Sequence, residues 1–172
     1  MEKFSDQELI EKCAAGDRTG QKCLFDKYYK AMFNVSLRIT NDHDESLDVI
    51  QEGFLQVFND LPKFRGESTL GAWIKIIIVR SSLKKLNRNN NHESLDLAIH
   101  DQPIEWSDSF DANDLDQAIR SLPEGYRAVF LLIEKEGYKH REVAEMLNIS
   151  EGTSKSQLFQ AKKMLQSKLG RY

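Results

Sequence analysis

The stretch NISEGTSKSQLFQAKKML, Asn148 to Leu165, sets a turn in front of a helix that carries no acidic residue after Glu151. Asn148 suits the left-handed backbone conformation, Ile149 supplies an apolar contact between two helices, and Ser150 stands where it can cap the second. REVAEML, residues 141–147, is the short helix before the turn, with small Ala144 allowing close approach. This is the helix-turn-helix arrangement. Leu158, Ala161 and Leu165 form the inward face of the second helix, which leaves Lys155, Ser156, Phe159, Gln160, Lys162 and Lys163 on outward stripes. A DNA major groove admits such a helix, and Lys, Ser and Gln reach phosphates or base edges there. The same unit can also serve only to pack two helices.

Two further helices are expected before this motif, Leu115 to Pro123 and Glu124 to Tyr138, closed by Pro123 and Gly137. Upstream the helical spacing fails. Residues 91–114 begin in an asparagine run, contain Pro103, and hold only acids among their charged residues, so they are expected to form a flexible acidic linker. The linker separates a unit of residues 1–90 from one of residues 115–172. Apolar positions recur at helical spacing in both, and strand-like alternation is scarce, so the fold class is all-α with two small helical domains.

In the first unit, NDHDESLDVIQEGFLQVFNDL, Asn41 to Leu61, is the clearest amphipathic helix. Ile50, Phe54, Val57, Phe58 and Leu61 make one apolar stripe and belong to the core. Asp48, Gln51, Glu52 and Leu55 make a second stripe of two acids, an amide and a leucine facing outward. That stripe is either a docking surface or a solvated face. Asn41, Asp42, His43, Asp44 and Glu45 fit helix capping and the helix dipole better than a metal site. Pro62, Gly66 and Gly71 then mark a loop, and Trp73, Ile74, Ile77, Ile78, Leu83 and Leu86 continue a helix-compatible pattern. The β-branched run Ile76 to Val79 is therefore assigned to a helix, and Trp73 to the core rather than to a base-stacking platform.

The formal charge of −3 conceals a division along the chain. Residues 91–115 carry seven acids and no Lys or Arg, whereas 116–172 carry ten basic residues against seven acidic ones. Acid-free runs cover residues 68–92 and 152–172, and such clustering governs phosphate binding more than the total does. No apolar run is long enough to span a membrane, no signal-peptide core follows Met1, and Cys13 and Cys23 lack metal-like spacing. A cytoplasmic protein without membrane insertion, cofactor or metal is expected. Gly-rich phosphate loops, HExxH and GxSxG are missing, so catalytic residues are not expected and the chain is not read as an enzyme.

Four segments in order, SLDVIQEGFLQVF, KFRGESTLGAWIKII, SLPEGYRAVFLL and HREVAEMLNISEGTSKSQL with QAKKML, resemble the bacterial extracytoplasmic-function (ECF) sigma factors. The resemblance covers nearly everything outside the acidic linker. It implies a sigma-two and a sigma-four domain that together give core RNA polymerase its promoter specificity. By that resemblance, Asp48, Gln51, Glu52 and Leu55 dock on the coiled-coil clamp of the polymerase β′ subunit, and the β subunit is a further contact. The loop with Lys63, Phe64, Arg65, Glu67, Ser68 and Thr69 would capture a flipped base of the −10 element, with Arg80 and Lys84 on the helix that follows. Lys155, Ser156, Phe159, Gln160, Lys162 and Lys163 would meet the −35 element. The family also implies an anti-sigma factor as partner. Arg80 and Lys84 stand where many members have asparagine and aspartate, and Gln160 where many have arginine, so the promoter sequences do not transfer. An autonomous helix-turn-helix regulator is the alternative reading; it would not need the Asp48 stripe.

Overall fold

The computed structural model describes residues 4–89 and 111–169. The chain divides into two compact units, Met1–Arg88 and Asn89–Tyr172. Among the described residues every regular element is helical. Most of the expected linker lies outside the described residues. Its last residues do not: Asp111 precedes a helix that begins at Ala112, so the acidic segment ends earlier than its composition suggested. The reason is local, since Asp114 in a first helical turn complements the positive end of the helix dipole.

The first unit holds α1 (Asp6–Ala14), α2 (Arg18–Thr40), α3 (His43–Asp60) and α4 (Leu70–Asn89). Ser5 caps α1, with its hydroxyl accepting from Glu8 N and the Glu8 carboxylate accepting from Ser5 N, so two otherwise unpaired donors are satisfied reciprocally. Leu9, Leu24, Met32, Val49, Ile50, Phe54, Val57, Ile74 and Ile78 from the four helices share one core. The β-branched run is helical, as its continuing period indicated, and Ile77, Ile78 and Val79 are all buried. Gly53 faces α4 here: a Cβ at this position would come 2.5 Å from Ile78 Cδ1, the end of that side chain. A small polar seam runs through the same packing. Ser82 Oγ donates to Ser36 Oγ at 3.2 Å, and Thr40 and Ser46 share a 2.8 Å bond, so the buried hydroxyls are satisfied.

The second unit holds α5 (Ala112–Arg120), α6 (Glu124–Phe130), α7 (His140–Leu147) and α8 (Glu151–Leu169), with α8 packed against the other three. The single helix expected from Glu124 to Tyr138 is not one regular helix. After Phe130 it widens into a π turn, Leu131–Lys135, in which Glu136 N donates to Leu131 O. Val129 before this turn and Leu131 and Leu132 within it are buried, and Gly137, at φ 77°, follows it. Arg127 of α6 is buried, and its Nη1 donates to the carbonyls of Leu122 and Arg120.

Candidate nucleic-acid interface and docking face

The geometry of α3 starts with its cap. Asn41 closes α2 in the left-handed conformation at φ 57°, and Asp42 turns the chain into α3 with its carboxylate accepting from Glu45 N at 2.8 Å. Ile50, Phe54 and Val57 then point inward and Phe58 is half-buried. The opposite side presents Asp48, Gln51, Glu52 and Leu55, all exposed. Leu55, a large apolar side chain among acids and an amide, keeps 64% of its surface in solvent. One participant was not foreseen. Lys85 of α4 donates to Asp48 Oδ2 at 2.9 Å, and that bond, with the charges of Asp48, Glu45 and Glu52, holds the Lys85 ammonium above its ordinary pKa.

The loop between α3 and α4 opens with a short 3-10 turn, Leu61–Lys63, carrying Pro62. Lys63 reaches back to Asp60 at 2.9 Å, which lowers the Asp60 carboxyl's pKa. Phe64 is half-buried, its ring 5.3 Å from that of Trp73, and both pack against the core. The assignment of Trp73 to the core therefore stands, while Phe64 shows only part of its ring to solvent. Gly66, at φ 72°, turns the chain where a side chain would be strained. Arg65, Glu67, Ser68 and Thr69 are exposed, and Thr69 Oγ1 accepts from Ala72 N at 3.3 Å at the start of α4. Arg80 and Lys84, one helical turn apart, are exposed on the same helix.

The helix-turn-helix forms as its sequence indicated. Asn148 adopts φ 54°, Ile149 N donates to Ala144 O, and Ser150 Oγ accepts from Thr153 N at 2.9 Å. A further link was missed by the sequence reading: His140 Nδ1 lies 2.9 Å from Ser154 Oγ and joins α7 to α8. Burial, followed by the charge of Lys155, keeps the His140 pKa below its ordinary value. Ser156 corrects the expectation. It is buried, with its hydroxyl donating to Thr153 O at 3.0 Å, and so is not on the outward face. Leu158, expected inward, is half-buried. At about 100° per residue, Lys155, Phe159, Lys162 and Lys163 fall within one outward arc, together with exposed Gln166, which had not been singled out. Half-buried Gln160 lies on its flank. Two of the lysines are engaged: Lys155 Nζ with Glu151 at 2.8 Å, and Lys162 Nζ with Glu134 of the π turn at 2.6 Å.

Residues 24–92 match the family model described as sigma-70 region 2, and residues 112–165 the model described as sigma-70, region 4. The ECF RNA polymerase sigma-E factor of Haemophilus influenzae is 25% identical over 184 residues, spanning 98% of this chain and 97% of the relative. The chain belongs to the ECF sigma factors. Another relative of this family member, the RNA polymerase sigma-H factor of Pseudomonas aeruginosa, is 27% identical over 95% of this chain and 93% of its own. Two solved structures share the sigma-factor fold. One is the sigma factor RpoE of Bartonella quintana in complex with the anti-sigma factor NepR, at a TM-score of 0.56 and 22% identity over 87% of this chain and 96% of that one. The other is CnrH in complex with the cytosolic domain of CnrY, at a TM-score of 0.52 and 18% identity over 94% of this chain and 95% of that one. As an ECF sigma factor the chain works with RNA polymerase and promoter DNA in transcription initiation. Among the described residues no helix is long and apolar enough to cross a membrane, and no cluster of three or more His, Cys, Asp or Glu could hold a metal.

Proposed function

We propose that the two units divide promoter recognition, the first docking on core polymerase and reading the −10 element, the second reading the −35 element. Asp48, Gln51, Glu52 and Leu55 form the docking face, Lys63 to Thr69 with Arg80 and Lys84 meet the −10 strand, and the outward arc of α8 enters the major groove. The observation that carries this reading is Leu55, a large apolar side chain left 64% exposed within an acidic stripe on the unit that matches sigma-70 region 2. Such a pattern suits a partner surface with basic residues around an apolar contact, for which the clamp coiled coil of the polymerase is the candidate. On the same reading the protein is cytoplasmic, performs no catalysis of its own, and is held inactive by an anti-sigma factor, by analogy with the complex of RpoE and the anti-sigma factor NepR. An autonomous regulator would leave the Asp48 stripe without a role. Reconstitution with core polymerase tests the proposal. Asp48→Lys or Glu52→Lys is expected to weaken core binding and run-off transcription at unchanged helicity, because neither side chain enters the core. Unchanged core affinity would refute the docking assignment.

A further inference from the structure

We infer that Lys85 is shared between the docking face and the DNA-facing side of α4, so that a basic partner seated on Asp48 releases the Lys85 ammonium to promoter phosphate. The inference rests on the docking reading above and names a residue that reading did not contain. Among the described residues, the carboxylates that hold Lys85 lie on one side of it. Its Nζ lies 2.9 Å from Asp48 Oδ2, and the acids around it, Asp48, Glu45 and Glu52, all come from α3. Among the described side chains of its own helix, the exposed charges nearest to it in sequence are Arg80 and Lys84, both of its own sign. In the free protein, then, the local field draws the ammonium toward α3 and away from the face that Arg80 and Lys84 occupy.

Both biases reverse in a promoter complex. A cationic partner on Asp48 and Glu52 neutralises the acids that hold Lys85, and a phosphate beside Arg80 and Lys84 turns repulsion into attraction. The move is within reach, because positions 84 and 85 differ by about 100° around the helix and a lysine carries its charge about 6 Å from the backbone on a flexible stem. The starting bond is weak enough to exchange. The Asp48 carboxylate is 59% exposed and the Lys85 side chain 26%, and pairs of this exposure shift an equilibrium by no more than about fivefold. Lys85 therefore opposes docking slightly in the absence of DNA and favours DNA once docking has occurred, which couples the two events through one side chain.

The test uses the full chain with core polymerase, and Lys85→Gln beside Lys85→Arg. Lys85→Gln is expected to tighten core binding without DNA by about two- to fivefold, since the internal competitor is gone. In the holoenzyme the same change is expected to lower the slope of log affinity for promoter against log salt by about one counterion. Lys85→Arg keeps the charge and is expected to match the wild type in both. The inference is overturned if Lys85→Gln weakens core binding, if it leaves the salt slope unchanged, or if it lowers thermal stability and both affinities together, as a purely structural residue would. Failure of the docking reading is distinguishable: Asp48→Lys would then leave core affinity intact.

Discussion

Replacing Glu134 by Gln is expected to strengthen promoter binding by the holoenzyme, although it removes a salt bridge. Glu134 Oε1 lies 2.6 Å from Lys162 Nζ, with the side chains 38% and 29% exposed. If Lys162 contacts phosphate, this bond has to open first, and opening it costs about 0.5 to 1 kcal/mol for a surface pair of this kind. The change should therefore raise affinity by about two- to fivefold at low salt. The equivalent change at Glu151 is less informative. Its pair with Lys155 is i to i+4 between exposed groups and correspondingly weak, and Glu151 also stabilises the first turn of α8 through the helix dipole. The two effects offset each other in Glu151→Gln and do not in Glu134→Gln. The assay is promoter affinity across a potassium chloride series. Glu134→Gln should displace the line upward with its slope unchanged, because the same lysine is counted in both proteins. Lys162→Ala should instead flatten the slope by about one counterion. An unchanged or reduced affinity for Glu134→Gln at low salt, with the fold intact, would show that Lys162 does not reach DNA.

Two further outcomes follow from the packing. His140 is kept below its ordinary pKa of 6.5 by burial and by Lys155, with Lys162 adding to the depression and Glu151 and Glu134 opposing it. The unfolded chain therefore binds this proton first, and the stability that neutral His140 contributes is full above about pH 6.5 and declines as the pH falls through the window below it. Thermal melts of wild type and His140→Asn should converge on acidification across that window; a constant gap would contradict it. Gly20→Ala would place a Cβ 2.4 Å from Lys12 Cβ, an atom fixed to the α1 backbone, so α1 must move from α2 at a cost of about 1 to 3 kcal/mol. A urea midpoint equal to the wild type's would mean that the two helices are not so closely apposed.

The features legible in the sequence are those whose causes are local. Asn148 and Ser150 specify the turn and the α8 cap through their own backbone preferences, and the 3.6-residue period separates Ile50, Phe54 and Val57 from Asp48, Glu52 and Leu55 without reference to any other helix. The misreadings arise where a second influence intervenes. Ser156 stands on the flank of the outward arc by angle, yet its hydroxyl bonds back to Thr153 O and the site is covered. Residues 111–114 are as acidic as the linker before them, but acids also favour a helix start, and α5 begins there. Lys85 with Asp48 and Lys162 with Glu134 join different elements, so no spacing rule links them. The π turn that carries Glu134 changes the hydrogen-bond pattern within a segment whose apolar spacing still reads as an ordinary helix, so the sequence did not mark it.

These pairs bear on how a chain of net charge −3 handles a polyanion. Lys63, Lys85, Lys155 and Lys162, spread over the proposed DNA surfaces of both units, each lie within 2.9 Å of a carboxylate, of Asp60, Asp48, Glu151 and Glu134 respectively. Where a phosphate replaces a carboxylate, the lysine exchanges one anion for another, and the gain is smaller than for a lysine that was only hydrated. On the proposed reading, non-specific attraction to DNA is thereby lowered in the free protein. Useful affinity then has to come from engaging two weak sites on one promoter, since linking them turns the second contact into an intramolecular event with a high effective concentration. On the proposed reading, polymerase docking supplies that condition. A sigma factor with four unpaired lysines in these places would bind DNA more tightly on its own and discriminate less between promoters, because the added affinity is blind to base sequence.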